Sequence, residues 1–239
     1  MAHIPRLYRP GRLAPGPLLI DGEAAKRLTS VMRLRAGDRF LCFAGDGREW
    51  EATVAEVGKS ALRVEVGPIA RQAPPSPLVV ELWAGLVRPN RFDWLIEKCT
   101  EAGVDILWPL LSEHAARGEG TGQQRAQRWG RIAVEAAEQS ARLFLPVVEP
   151  PAAFDALLGR PHGPLIVADA SGWPWDQTAA LLPLEGRLAI AIGPEGGFSP
   201  AELAAARAHG AIVASLGPNV LRTETAAVVA VSLVRALRP

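Results

Sequence analysis

Between Arg71 and Pro77 the chain reads RQAPPSP, with three prolines in four positions. Such a stretch lacks the backbone donors that a helix interior or a central strand requires. It therefore reads as a linker, and each side must build its own core. The rhythm of the sequence changes across it. Before it come short runs that alternate or are apolar, Arg39–Phe43, Glu49–Val57 and Ala61–Val66, separated by AGDG and GKS. The Asp46-Gly47 pair is a hairpin signal. Leu18-Leu19-Ile20 precedes a short helix from Gly22 to about Met32, with Ala24, Leu28 and Val31 on one face. This predicts a small antiparallel β-barrel over residues 1–72. After the linker, strand candidates (Leu78–Trp83, Ile106–Pro109, Leu165–Ala168, Leu188–Ile192, Ala211–Ala214) alternate with helix candidates. The helices are Arg91–Ala102 behind an Asn90 cap, Gln124–Arg142, Pro200–Ala208 and Thr223–Leu237. That alternation predicts an α/β domain over 73–239 with a mostly parallel sheet covered on both faces.

Charge follows the same division. Residues 1–72 hold 12 Lys/Arg against 8 Asp/Glu, and residues 73–239 hold 14 against 17. A basic first third is a mild hint of a polyanionic partner. Nearly half of the residues are apolar (49%) and the net charge is +1, which excludes a disordered chain. The longest apolar run, TAAVVAVSLV from Thr225, is about half the ~20 residues that a spanning helix needs. The N-terminus, MAHIPRLYRPGR, carries no apolar segment of a secretory signal. Cys42 and Cys99 offer neither a disulfide framework nor metal-ligand spacing, and the four histidines form no ligand pattern. The expectation is a cytoplasmic protein with reduced thiols, no metal and no membrane partner.

The common nucleotide motifs are missing: no G-x-G-x-x-G follows a strand, and no P-loop or nucleophile elbow is present. What remains is the octapeptide IGPEGGFS from Ile192 to Ser199. A buried strand runs into a loop of three glycines, a proline and an acid, and then into a helix opened by the capping box SPAE. Glycines let backbone approach a ligand closely, and ligands of open α/β sheets bind at the carboxyl ends of strands. A second strand–loop–helix unit follows in SLGPNVLRTET. Arg222 stands at the positive end of a helix, where a cation is unfavourable, which points to an acidic partner or a ligand, with a solvated arginine as the alternative. The helix after it is apolar nearly all round and must be covered on several sides, within one domain or at a subunit interface. A third stripe, Glu135, Glu138, Gln139 and Arg142, is either a solvated face or part of a site.

The pairing of IGPEGGFSPAE with LGPNVLRTETAAVVA resembles the small-subunit ribosomal RNA uridine-N3 methyltransferases, a branch of the SPOUT superfamily. RFDWLIEK through EAGV (91–104), RW through EQSAR (128–142) and VMRLRAGD (31–38) resemble further segments of that family, in order along the chain. The resemblance implies an N-terminal PUA-like β-barrel for RNA and a C-terminal SPOUT α/β domain with a deep trefoil knot. It implies S-adenosyl-L-methionine held at Ala168, Gly193, Pro194, Glu195, Gly196 and Gly197. On the second loop it implies Leu216, Gly217, Asn219, Val220, Leu221, Arg222, Thr225 and Ala226. It also implies a homodimer acting on 16S ribosomal RNA, free or in the small ribosomal subunit. Uridine N3 lies on the Watson–Crick edge, so the target must be unpaired or flipped out. By residue type, Arg222 suits a developing uracil anion, and Glu195 suits a base or a cofactor contact. Arg6, Arg9, Arg33 and Arg35 are the candidate RNA contacts of the basic first third. The chain departs from the family pattern at Arg27, His114 and Asn219. Two other readings stay open: a SPOUT ribose 2′-O-methyltransferase acting on transfer RNA, and a non-catalytic RNA-binding protein.

Overall fold

The computed structural model describes residues 4–115 and 122–237. The chain divides into two compact units. The first takes in the residues up to Pro75 together with Ala137–Leu145; the second comprises Ser76–Ala136 and the residues from Pro146 on.

The first unit is built on five strands, β1 (Arg6–Tyr8), β2 (Gly16–Asp21), β3 (Arg39–Phe43), β4 (Arg48–Val57) and β5 (Ala61–Gln72). They pair in the order β1-β3-β4-β5-β2. All neighbours are antiparallel except β1 and β3, so the wholly antiparallel pattern expected is corrected at one edge. β1 and β2 end the sheet and are not paired with each other among the described residues, so a closed barrel is not formed by strand pairing. β5 runs through Gln72, so the proline stretch acts as a connector only from Ala73 onward. The helix α1 (Gly22–Lys26) passes into a π-helical turn, Arg27–Val31. Met32 N–H reaches back five residues to the Arg27 carbonyl at 3.0 Å, and this wider turn rotates Val31 off the apolar face. Val31 is 73% exposed, contrary to the helical-face expectation, whereas Leu28 joins Ile20, Phe40, Val54, Leu62 and Val64 in the core.

The second unit has seven strands: β6 (Leu78–Gly85), β7 (Ile106–Leu111), β8 (Val147–Val148), β9 (Ala152–Ala153), β10 (Leu165–Pro174), β11 (Gly186–Ile192) and β12 (Ile212–Ser215). All pair in parallel, in the order β12-β10-β11-β6-β7-β8, with β9 also on β7. Its helices are α2 (Pro89–Ala102), α3 (Gln123–Gln139), α4 (Phe154–Leu158), α5 (Trp175–Ala179), α6 (Pro200–Ala208) and α7 (Thr223–Leu237). β6 shows why both faces are covered. Val80, Leu82 and Ala84 join Phe92, Leu95, Val231 and Val234 of α2 and α7, while Trp83 joins Phe154, Leu157 and Ala206 on the other side.

Several boundaries move. Asn90 is not the cap of α2; Arg88 is, with Pro89 at the first helical position. α3 ends at Gln139 rather than Arg142, where Ala141 turns left-handed at φ 58°. β10 is longer than expected because pairing with β12 resumes at Trp173 after a four-residue bulge. The strands β8 and β9 and the helices α4 and α5 are too short to leave a periodic signal and were not expected. Both cysteines are buried free thiols, and burial together with the Glu49 charge pushes the Cys42 thiol up to about 11. Among the described residues no helix is long and apolar enough to cross a membrane.

Candidate functional site

The loops after β11 and β12 meet the bulge that interrupts β10 and line a cavity of about 220 Å³. The position accords with the rule that open parallel sheets bind ligands beyond the carboxyl ends of their strands.

The loop after β11 is shaped by its own sequence. Pro194 O accepts from Gly197 N–H at 2.9 Å, closing a turn in which Gly197 sits at φ 68°, a conformation that glycine adopts without strain. Phe198 then anchors the loop in the core against Phe154, with ring centroids 4.9 Å apart. The capping box starts α6: Ser199 Oγ accepts from Glu202 N–H, and Glu202 Oε2 accepts from Ser199 N–H at 2.8 Å. Behind the loop, the end of β6 leaves no room for a side chain. A Cβ on Gly85 would lie 2.3 Å from Pro194 N. This glycine carries no motif and was missed.

The loop after β12 is held by Ser215, whose Oγ donates to Gly217 O at 3.0 Å. It delivers the chain to α7, where Thr223 Oγ1 donates to Gly193 O at 2.9 Å and ties the two loops together. The third wall is the β10 bulge, folded on Asp169, whose Oδ1 accepts from both the N–H and the Oγ–H of Ser171.

The cavity brings together Ala168, Gly193, Pro194, Glu195 and Gly197 with Leu216, Gly217, Asn219, Val220, Leu221 and Ala226. Asp169, Ala170, Ile192, Ser215 and Thr223 also line it, and sequence reasoning did not name them. Three expected positions do not. Gly196 turns away from the cavity, and a Cβ there would meet the Cβ of His114 at 2.9 Å. Thr225 is exposed on the outer side of the α7 start. Arg222 is exposed beside the cavity and makes no ion pair among the described residues, so the acidic partner allowed for in the sequence is not there. Glu195 does have one: Arg91 Nη1 donates to Glu195 Oε1 at 3.0 Å.

The walls are chemically divided. Ala168, Leu216, Leu221 and Ala226 offer apolar surface, the glycine-rich main chain offers donors and acceptors at short range, and Asp169 and Glu195 add two carboxylates. A flat heterocycle, a hydroxylated sugar and a cationic group find complements there. Among the described residues no cluster of His, Cys, Asp and Glu could hold a metal ion.

Of the candidate RNA contacts, Arg33 and Arg35 are exposed, and Arg9 is half-buried with its guanidinium on Pro10 O. Arg6 is corrected. It is 7% exposed, pairs with Glu49 Oε1 at 2.5 Å and donates to the carbonyls of Ala137, Glu138 and Arg142. Those carbonyls belong to the negative end of α3 and the turn beyond it, so the cation serves the fold and is closed to phosphate. The Glu138 stripe splits likewise: Glu138 is buried against Arg27 and Tyr8 N–H, while Glu135 and Gln139 face solvent.

Residues 74–235 match the RNA methyltransferase domain family, and residues 20–67 match the RNA methyltransferase PUA domain family. The chain is 31% identical over 225 residues to a ribosomal RNA small subunit methyltransferase E from Bacillus subtilis (strain 168), covering 90% of this chain and 88% of that one. It is 33% identical to the same-named protein of Synechocystis sp. PCC 6803, covering 88% and 70%. A solved ribosomal RNA small subunit methyltransferase E from Neisseria gonorrhoeae, bound to S-adenosyl methionine, superposes with a TM-score of 0.89 at 27% identity, covering 99% and 98%.

Proposed function

Because this chain belongs to the ribosomal RNA small subunit methyltransferase E family, we propose that it transfers a methyl group from S-adenosylmethionine to N3 of a uridine in 16S ribosomal RNA, in the cytoplasm. The observation that carries this reading is the cavity itself, formed by the loops after β11 and β12 and the β10 bulge of the methyltransferase domain.

The residues present fit that cofactor. Gly193 stands so close to the returning loop that a Cβ would lie 3.0 Å from Gly197, leaving bare backbone towards the ligand. The main chain of 193–197 and 216–221 would hold the adenine, and the Asp169 carboxylate would take ribose hydroxyls. When bound, the cofactor supplies an electrophilic methyl on a sulfonium. Uridine N3 is protonated at neutral pH and becomes nucleophilic only as that proton leaves. Arg222, exposed at the positive end of α7, stabilises the uracil anion that forms. Glu195 keeps one oxygen for Arg91, which suits it to hold the cofactor rather than to take the N3 proton. Arg9, Arg33 and Arg35 of the first unit supply phosphate contacts that position the RNA without reading its sequence. The family reading also implies a trefoil knot in the second unit.

Mapping methylated uridines in ribosomal RNA from cells with and without this protein tests the reading. Loss of a single N3-methyluridine of the small subunit is the expected result, and an unchanged map overturns it. In vitro, Arg222→Ala should lower kcat about 100-fold while the cofactor Kd stays within about twofold.

A further inference from the structure

Arg91 lies in neither glycine loop and does not line the cavity, yet it is where Glu195 of the first loop and Glu224 of α7 converge. Its Nη1 donates to Glu195 Oε1 at 3.0 Å, and its Nε lies 3.9 Å from Glu224 Oε1. Glu195 belongs to the wall formed after β11, and Glu224 to the first turn of α7 behind the wall formed after β12. Glu224 is buried, and its Oε2 has no hydrogen-bond partner among the described residues. Besides Arg91, the positive end of its own helix is what offsets its charge. Arg91 itself occupies the first turn of α2, where a cation is disfavoured by the helix dipole. A guanidinium placed against that gradient and between two acids is held by them, and it holds them in return.

We propose that Arg91 is a positioning residue that ties the Glu195 loop to the start of α7 and thereby sets the affinity of the cavity for its cofactor. The proposal rests on the reading of this cavity as the S-adenosylmethionine site. Among the described residues, the direct tie between the two loops is a single hydrogen bond, from Thr223 to Gly193 at their base. Arg91 adds a second tie further out, on the acidic side chain that lines the wall. Its planar fork donates one N–H to Glu195 while its Nε edge faces Glu224 at ion-pair range, an arrangement that a lysine ammonium reproduces with poorer geometry. With side chains 31% and 48% exposed, the Arg91–Glu195 pair adds little to folding stability. Its effect belongs in binding, where an ordered loop spares the ligand the cost of ordering it.

Calorimetric titration of the full-length protein with S-adenosylmethionine tests this. Arg91→Ala and Arg91→Gln should each weaken binding about fivefold, Arg91→Lys should recover part of it, and the melting temperature should stay within about 2 °C of wild type. In a Glu195→Gln background, Arg91→Ala should cost much less than it does alone, which a double-mutant cycle reads directly. Unchanged Kd in Arg91→Ala, or additive losses in the cycle, overturns the proposal while leaving the cofactor site intact. A folded wild-type protein that fails to bind overturns the reading of the cavity and the proposal with it.

Discussion

Arg6 is a cation enclosed by its own fold: one carboxylate, three carbonyls from 137–142, and the Phe43 ring 4.6 Å below its guanidinium. Sequence places it in a basic segment; only burial reveals that its charge is spent inside. Arg6→Ala would leave Glu49 buried with only the partly exposed Arg71 nearby, at 3.4 Å. The expected loss is about 3–5 kcal/mol, measured by denaturant unfolding. The salt dependence of RNA binding by the folded fraction should not change. Gly85 makes the complementary case. Nothing near it in the sequence marks it as functional, yet a Cβ there would collide with the backbone of Pro194. Gly85→Ala must push the 193–194 segment towards the cavity, and should weaken S-adenosylmethionine binding at least tenfold by calorimetry. Gly196→Ala meets only the exposed His114 side chain and should cost less than threefold. Glycines inside a motif are conspicuous in a sequence; a glycine that matters because a distant segment packs on it is not.

At the scale of elements, α7 joins the site to the frame. Its first turn carries Thr223 at the cavity and Glu224 behind it, and its last turn carries Arg235. That arginine donates from Nε to Gly103 O at 2.9 Å and from Nη1 to Leu78 O at 3.0 Å, and it also pairs with Asp105. It therefore fastens the end of α7 to the start of β6 and to the turn after α2. Arg235→Ala leaves these acceptors short of a donor and should cost about 2 kcal/mol. That corresponds to a fall of roughly 4–8 °C in melting temperature, followed by circular dichroism. The long elements were readable from periodicity and capping: α2, α6, α7 and the buried strands lie within a few residues of where the sequence puts them. The π-helical turn after α1, the β10 bulge and the two-residue strands were not. Each is created by pairing or packing with a distant segment, which leaves no local pattern.

At the scale of the whole molecule, α7 keeps an outer side that the rest of its unit covers only in part. Ala227, Ala230, Val231 and Val234 are buried and Val228 packs on the same core, but Val229 and Leu233 are only half-covered and Leu237 is exposed. We read this stripe as the contact of the homodimer proposed for the family. Val229→Asp should yield monomers by sedimentation, with native circular dichroism and no methyl transfer; an active wild-type monomer at assay concentration overturns it. The sequence by itself determined the proline connector, the parallel α/β pattern and the two glycine loops, because proline, periodicity and glycine act on the chain locally. Tertiary structure alone decided that Arg6 is a core cation, that Ala137–Leu145 belongs with the first unit, and that Arg91 joins Glu195 to Glu224. Each of these depends on which distant residues share one small volume, and whether a charge meets water or a partner there is fixed by folding.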